Sequence, residues 1–466
     1  MRILIGLALL GLLGCASTSS DDPAPTLRAG ASKVKITPDH PGWMTGYGNR
    51  NHIADGVKTD LWVRALVLEG PAGKRLVLVT ADLLGFPPKL SQSIRKEAVD
   101  RFGLDPADLM LVASHTHGGP AIPERPSMEI FHGLDEKTGQ DVYEYADWLE
   151  DRVLEAISKA MVARKPATAM LTHAEAHFGM NRRFRNPSGS YAIKDNPEGL
   201  VDPDVLIVRV ASDLGTPVAT VYTYACHGTT LGGDIYQYHG DWIGYASDEI
   251  EKASGGAPAL FATGCGADLN PSPRGKFEMA EAHGHAMAAA VAGAPPGTPL
   301  AGPFTSVLST IDLPLAPPPE RELLQKLAAE EVPPGKVSYR KRHATEMLKL
   351  LDAGKLPRAV PLPIQVWRLG DEKVVAFGGE TCVEYALRTK KELGAPHTWV
   401  IGYANMVPCY IPSEKVLSES GYEPGWEPGT KDTIATGSMM FYGWPVPFAP
   451  GIEARIMAEV ERLAKD

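Results

Sequence analysis

Beyond its first residues this sequence has no long apolar run, no block of lysine and arginine, and no internal repeat. The first absence argues against a helical membrane span in the body of the chain, since crossing a bilayer takes about 20 consecutive apolar residues. The second, with a formal net charge of -10, disfavours nucleic acid as a partner, because nothing offers a phosphate-binding face. Lys390-Lys391 and Arg340-Lys341-Arg342 are short and sit in helical contexts, where a solvated face is the ordinary reading. The third rules out a solenoid. Cysteine is scarce, five in 466 residues, too few to build a fold of this size from disulfides. What is present is ordinary in bulk: 44% hydrophobic and 22% charged residues describe a globular chain able to bury a large core, as one large domain or two.

The chemistry concentrates at strand ends. Leu109 to Ala113 reads as a short buried strand, and directly after it Ser114-His115-Thr116-His117-Gly118-Gly119-Pro120 presents two imidazoles among glycines. Alternate residues of a strand share a face, so His115 and His117 would point the same way if the strand ran on. Two hydrogen-bonded loop histidines are the plainer alternative. A second β-rich run, Val221 to Ala225, delivers His227-Gly228, and a third, Val374 to Phe377, passes through Gly378-Gly379 to Glu380. Histidines and one carboxylate from separate strand ends are the ligand set of a catalytic zinc site, which keeps a position open for water.

In this order the segments resemble the neutral non-lysosomal ceramidase family, whose members hydrolyse the amide of N-acyl sphingoid lipids with a single zinc ion. The resemblance runs from Gly30 to Pro38 and Met44-Thr45-Gly46-Tyr47, through Ser114 to Pro120, Asn181-Arg182, His227-Gly228, Asp241 to Ser247 and Phe261 to Pro271. It continues at Gly379-Glu380, Asn405 to Glu414 and Tyr442-Gly443. The resemblance implies His115, His227, Glu380 and Tyr410 as zinc ligands, with His117 facing the substrate and Arg182 and Tyr422 as polar contacts to the scissile group. A phenolic oxygen is an unusual zinc ligand, so Tyr410 rests on the resemblance alone. Asp241 reads equally as a helix N-cap or a substrate contact, and Trp242 is one of several aromatics, with Trp43, Tyr47, Phe184, Tyr245 and Trp444, that would wall an acyl or sugar site or simply fill core.

One departure matters. The family's Gly-Asp-Val-Ser-Pro-Asn segment, whose serine takes part in amide cleavage, stands here as Ala267-Asp268-Leu269-Asn270-Pro271-Ser272. An asparagine cannot act as nucleophile or proton shuttle, although its amide can donate to a developing oxyanion. The implied chemistry is therefore cleavage by metal-activated water, with His117 or a neighbour moving the proton. Three functions stand on the sequence: a zinc amidase acting on N-acyl lipids, a zinc hydrolase of the same fold acting on another amide, an ester or a carbohydrate-derived substrate, and a lipid-anchored binding protein with a vestigial site.

Alternating strands and helices predict an α/β fold, and the hairpin over Pro361 to Phe377 adds antiparallel pairing, so mixed sheets are expected. The resemblance implies two packed sheets flanked by helices, as in a ceramidase-like catalytic domain lacking the immunoglobulin-like C-terminal domain. Strands are expected at Arg64 to Leu68, Arg75 to Thr80, Leu109 to Ala113, Thr168 to Ala174, Leu206 to Val210, Val218 to Ala225 and Ala259 to Thr263. Further ones fall at Ser306 to Asp312, Leu362 to Trp367, Val374 to Phe377 and Trp399 to Tyr403. The domain is expected over residues 29–466, with a helical insertion at about 317–355 that reads as a lid or a decoration.

The N-terminus reads as an address. Met1-Arg2 is the positive region, Ile3 to Leu13 the apolar one, and Leu12-Leu13-Gly14-Cys15 resembles a bacterial lipoprotein cleavage box. The mature chain would start at a lipidated Cys15, tethered by residues 16–28, in the cell envelope and, lacking aspartate after the cysteine, at the outer membrane. The remaining Cys226, Cys265, Cys382 and Cys409 all lie beside site motifs, as buried thiols, as a disulfide, or less plausibly as zinc ligands. Asp82, at a strand end, is a candidate acceptor for a ligand histidine or a structural aspartate in a turn.

Overall fold

The structure is a computed structural model that describes residues 27–122, 130–134, 139–430 and 433–465. Cys15 and most of the expected tether lie outside these residues. Arg28, assigned to that tether, instead begins a strand, Arg28–Lys35, and pairs with Glu69 on one side and Pro166 on the other.

Among the described residues the largest sheet has nine strands. Its order is Ala259–Thr263, Pro217–Tyr224, Asp204–Ser212, Lys165–Glu175, Arg28–Lys35, Trp62–Glu69, Arg75–Ala81 and Leu109–Ala113, with Thr298–Pro299 alongside Lys165–Glu175. The two wings are joined only by the short pairing of Arg28 and Ala29 with Pro166 and Lys165. They fold over on each other, so that Leu66, Leu78 and Met110 of one wing share a core with Leu206, Val208 and Leu260 of the other. A second sheet, Phe304–Pro314, Ala359–Leu369, Glu372–Phe377 and Thr398–Ile401, sends Trp367, Val374 and Ile401 into the same core. The expected mixed, layered α/β architecture is thus observed.

In the two larger sheets three strand pairs are parallel: Arg75–Ala81 with Leu109–Ala113, Pro217–Tyr224 with Ala259–Thr263, and Glu372–Phe377 with Thr398–Ile401. A parallel pair needs a crossover, supplied here by the helices Pro88–Phe102, Asp241–Ala253 and Val383–Leu393. Each unit leaves polar loops at the carboxyl ends of its strands, where open α/β sheets place ligands. Folding the wings together brings these ends to one place: Thr263 Oγ1 donates to Ala113 O at 2.7 Å, and Thr116 bridges Gly228.

The expected strand at Trp399 to Tyr403 ends at Ile401, because Tyr403 turns to a left-handed φ of 54° to enter the site. In the insertion, the helices Arg321–Ala328 and Tyr339–Asp352 pack through Leu324, Leu327, Ala344 and Met347 against Ile130 and Ile434. The insertion is tied to the body by His343, fully buried, whose Nε2 donates to Trp444 O at 2.8 Å. Burial lowers the His343 pKa to about 4. The unfolded chain takes up that proton near pH 6.5 and the folded chain only near 4, so this histidine erodes stability as pH falls through that window. We expect His343→Gln to flatten the stability profile between those limits in denaturant titrations; an unchanged slope would refute the assignment.

Candidate active site and metal centre

Four backbone positions outside glycine adopt the left-handed region among the described residues: His115 (φ 57°), Asp241 (53°), Tyr403 (54°) and Asn405 (64°). Each costs about 1–3 kcal/mol and persists only where surroundings enforce it. All four bear on one locus. Tyr403 packs on the His115 ring at 4.5 Å between centroids, and Asn405 Oδ1 accepts from Leu111 N in the strand that leads to His115. Asp241 accepts from the backbone of Thr230 and Leu231 in the loop after His227.

The imidazoles themselves are set by the backbone. His115 Nδ1 lies 2.6 Å from Leu84 O, and His227 Nδ1 lies 2.7 Å from Gly266 O. A carbonyl only accepts, so both Nδ1 atoms carry the proton and both Nε2 atoms present lone pairs. Those lone pairs face one carboxylate oxygen, Glu380 Oε2, at 3.1 and 3.3 Å. That oxygen is buried and receives no hydrogen bond among the described residues. Arg182 Nη1, 3.3 Å from His227 Nε2, can donate to that lone pair, but no donor reaches Glu380 Oε2, and an anionic oxygen facing two imidazole lone pairs in a dry site calls for a cation between them. The donor set is that of a metal centre with nitrogen and oxygen ligands.

Tyr410 Oη joins at 3.2 Å from His227 Nε2. His117 Nε2 lies 3.2 Å from His115 Nε2, and the ring nitrogens of His115, His117 and His227 fall within 4.8 Å of one another. The structure thus groups a third imidazole with the two predicted as ligands. His117 differs from them in that its Nδ1 is buried without a partner, so no carbonyl fixes its tautomer. It also lines the cavity, whereas His115 and His227 lie behind it. Burial lowers the pKa of His117 well below the ordinary histidine value, with the neighbouring imidazoles adding to the effect. Burial, helped by the Arg182 charge, takes His227 to about 4.

Arg182 is the hub on the other side. Its Nη2 donates to Tyr410 Oη at 3.0 Å, its Nη1 to Asn270 Oδ1 at 3.1 Å, and its Nε to Glu423 Oε1 at 2.9 Å. Thr229 Oγ1 also donates to Asn270 Oδ1, so that oxygen is committed to orienting the guanidinium. Tyr422, the other predicted contact, packs edge-on to Tyr410 at 5.4 Å and lines the cavity.

Two predicted substrate contacts are placed elsewhere. Trp242 is fully buried, its indole N–H donating to His227 O at 2.8 Å, and neither it nor Asp241 lines the cavity. Asp241 is the first residue of its helix rather than the cap, and its carboxylate accepts from Thr230 N, Leu231 N and Trp242 N. Both residues hold the His227 loop from behind. Of the two readings of Asp82 the structural one fits: it accepts from Trp62 N and pairs with buried Arg64 at 3.2 Å, while the ligand histidines use backbone carbonyls. All four described cysteines are free and buried, and burial raises each thiol. A disulfide around the site is therefore not formed, and the buried-thiol reading holds.

Sequence reading missed Tyr442. Its hydroxyl donates to Glu380 Oε1 at 2.5 Å, leaving Oε2 to face the imidazoles. The signal was the Tyr442-Gly443 match, which marked the position without a role. We expect Tyr442→Phe to weaken metal retention or turnover by about tenfold, the usual scale for a residue that orients a ligand. A variant equal to the parent in metal titration and rate would remove Tyr442 from the site.

The cavity holds about 380 Å³. Its buried end exposes His117, Glu380, Tyr410 and Tyr422, and its walls are apolar, among them Leu84, Phe86, Val407, Phe441 and Trp444. Leu350 and Lys355 come from the helical insertion and its end, so the insertion builds part of the wall. Of the aromatics proposed from sequence, Trp444 lines this cavity, and Tyr47 supports it indirectly by packing on His117 at 4.8 Å.

The sequence matches the family model described as neutral/alkaline non-lysosomal ceramidase, N-terminal, over residues 28–283. It is 28% identical over 232 residues to Neutral ceramidase A of Dictyostelium discoideum, covering 47% of this chain and 31% of that protein. It is 25% identical over 284 residues to Neutral ceramidase of Pseudomonas aeruginosa, covering 56% and 40%. The matched stretch thus spans well under half the length of these relatives. The solved structure titled "Crystal Structure Analysis of neutral ceramidase from Pseudomonas aeruginosa" superimposes with a TM-score of 0.68 at 19% identity, over 90% of this chain and 72% of that one. A ceramidase complexed with C2 gives the same score over 90% and 73%. At this identity the likeness establishes the fold.

Proposed function

The chain belongs to the neutral/alkaline non-lysosomal ceramidase family, and from that premise we propose that it is a zinc-dependent hydrolase cleaving the amide of an N-acyl lipid. The observation that carries the proposal is the pair of Nε2 lone pairs and Glu380 Oε2 gathered at the buried end of an apolar cavity. The walls suit an acyl chain and the buried end suits an amide. His115, His227 and Glu380, with Tyr410 beside them, would hold zinc. Zinc bound there would polarise the carbonyl and lower the pKa of a water to about 7.

The protein's own groups divide the remaining work. His117, neutral through burial and free at Nδ1, would take a proton at the cavity surface and return it to the leaving nitrogen. Tyr422 supplies a donor at the cavity wall, where negative charge would develop on the carbonyl oxygen, and Arg182, buried behind that wall beside His227, acts through its hydrogen bond to Tyr410. Asn270 acts by fixing Arg182. The apolar walls exclude water from the reacting group.

Asn270 favours a second reading, hydrolysis of a different amide or an ester by the same centre, because no hydroxyl stands at that position to share in proton transfer. The discriminating experiment compares N-acyl sphingosine, an N-acyl amino acid and an acyl ester as substrates, with and without chelator. Chelator-sensitive release of fatty acid from N-acyl sphingosine is expected. Cleavage of only the other substrates would favour the second reading, and no cleavage of any would favour a vestigial site. We further propose that Cys15 anchors the chain by lipid to the bacterial outer membrane; a Cys15→Ala variant is expected in the soluble fraction, and one still membrane-bound would refute the anchor.

A further inference from the structure

We propose that Glu423 is a positioning residue for Arg182, holding that cation beside the metal centre; the inference rests on the hydrolase reading above. Glu423 is 2% exposed and bridges two consecutive guanidiniums with one carboxylate. Oε1 accepts from Arg182 Nε at 2.9 Å and Oε2 from Arg183 Nη1 at 2.7 Å. Its loop is fixed in turn, since Ser438 Oγ donates to Glu423 O and Ser438 N to Tyr422 O.

The need for such a residue follows from charge. Arg182 Nη1 lies 3.3 Å from His227 Nε2, the lone pair that would face zinc, so its guanidinium stands against a like charge whenever metal is bound. Its other partners there, Tyr410 and Asn270, are formally neutral. Among the described residues Glu423 is the one carboxylate bonded to Arg182. Tyr410 and Asn270 orient the guanidinium, and Glu423 is the anion behind it that offsets that repulsion, with a buried site amplifying both forces. Glu423 also follows Tyr422 directly, so one short loop sets both the cavity-lining Tyr422 and the partner of Arg182 behind it. Glu419 is the internal control, because it pairs with Arg183 Nη2 at 3.0 Å and does not touch Arg182.

Glu423→Gln keeps the shape and removes the charge. We expect its zinc affinity, measured by competition with a chromophoric chelator, to fall about tenfold and its kcat about 10–100-fold, the range for groups that orient a metal site from behind. KM should stay within about threefold, since Arg182 serves the transition state rather than ground-state binding. Glu419→Gln should match wild type in all three. Glu423→Gln equal to wild type in zinc affinity and kcat would overturn the inference, as would an equal loss in Glu419→Gln. Should Glu423→Gln fail to fold, the double variant Arg182→Gln/Glu423→Gln removes both charges. It should turn over within about threefold of Arg182→Gln alone, because Glu423 acts through Arg182; a larger additional loss would overturn the proposal. A wild type that binds no zinc and cleaves no substrate sinks the hydrolase reading and this inference together. An active, zinc-binding wild type beside an unaffected Glu423→Gln sinks the inference alone.

Discussion

His227→Ala is expected to lose its zinc and more than about 100-fold of its turnover, a larger effect than removing a group that merely orients a ligand. The side chain is wholly buried, its Nδ1 is committed to Gly266 O, and its Nε2 stands 3.3 Å from Glu380 Oε2 and 3.2 Å from Tyr410 Oη. Without the ring His115 and Glu380 remain with Tyr410, and a phenol is an unusual zinc ligand in place of the buried imidazole. Elemental analysis of the purified variant reads the outcome, and a variant that keeps a full equivalent of zinc would show that the centre lies elsewhere. Global unfolding is separated by thermal denaturation in excess zinc, where wild type should gain stability and the variant should not.

Gly46→Ala is expected to cut kcat about 100-fold while leaving zinc in place. Gly46 sits at φ 96°, and a Cβ there would stand 2.7 Å from His117 Cγ and Nδ1. An L-residue in that conformation is strained, and the clash pushes His117 toward the cavity. A displacement near 1 Å at a reacting group costs about that factor. The variant also decides between the two placements of His117. Zinc retained with kcat lost assigns the ring to proton transfer; zinc lost as well makes it a third nitrogen ligand, in keeping with its closeness to His115 and His227. An unchanged kcat would contradict both.

Much of this was legible because the informative residues follow strong strands. Leu109–Ala113 and Ala259–Thr263 begin and end where apolar periodicity puts them, and the segments just after them carry His115, His117 and Asn270. The strand Arg28–Lys35 was not predicted as an element, although it lies at the centre of the largest sheet. Its sequence, RAGASKVK, has one β-branched residue and no aromatic, and Gly30 is small because Ala160 O and Arg164 N approach where a Cβ would sit. Tertiary packing sets that strand, not propensity.

The ligand partners were harder to read, for a chemical reason. Asp82 is a carboxylate near the motifs, but backbone carbonyls of Leu84 and Gly266 hold the histidines, and a carbonyl has no sequence signature. Asp241 and Trp242 border the His227 loop in space and serve it through backbone contacts, a relation that spacing along the chain does not reveal. Glu423 lay beside a residue already singled out, yet its role depends on two arginines some 240 positions away in sequence.

A cation among His115, His227 and Glu380 is the central requirement of the site. Elemental analysis of the full chain, purified without chelator and then titrated with zinc after chelation, measures it directly. One equivalent of tightly held zinc, lost to chelator in step with amide hydrolysis and restored with it, is the predicted result. A chain that takes up no zinc, or that takes it up equally well as His227→Ala, would contradict the account.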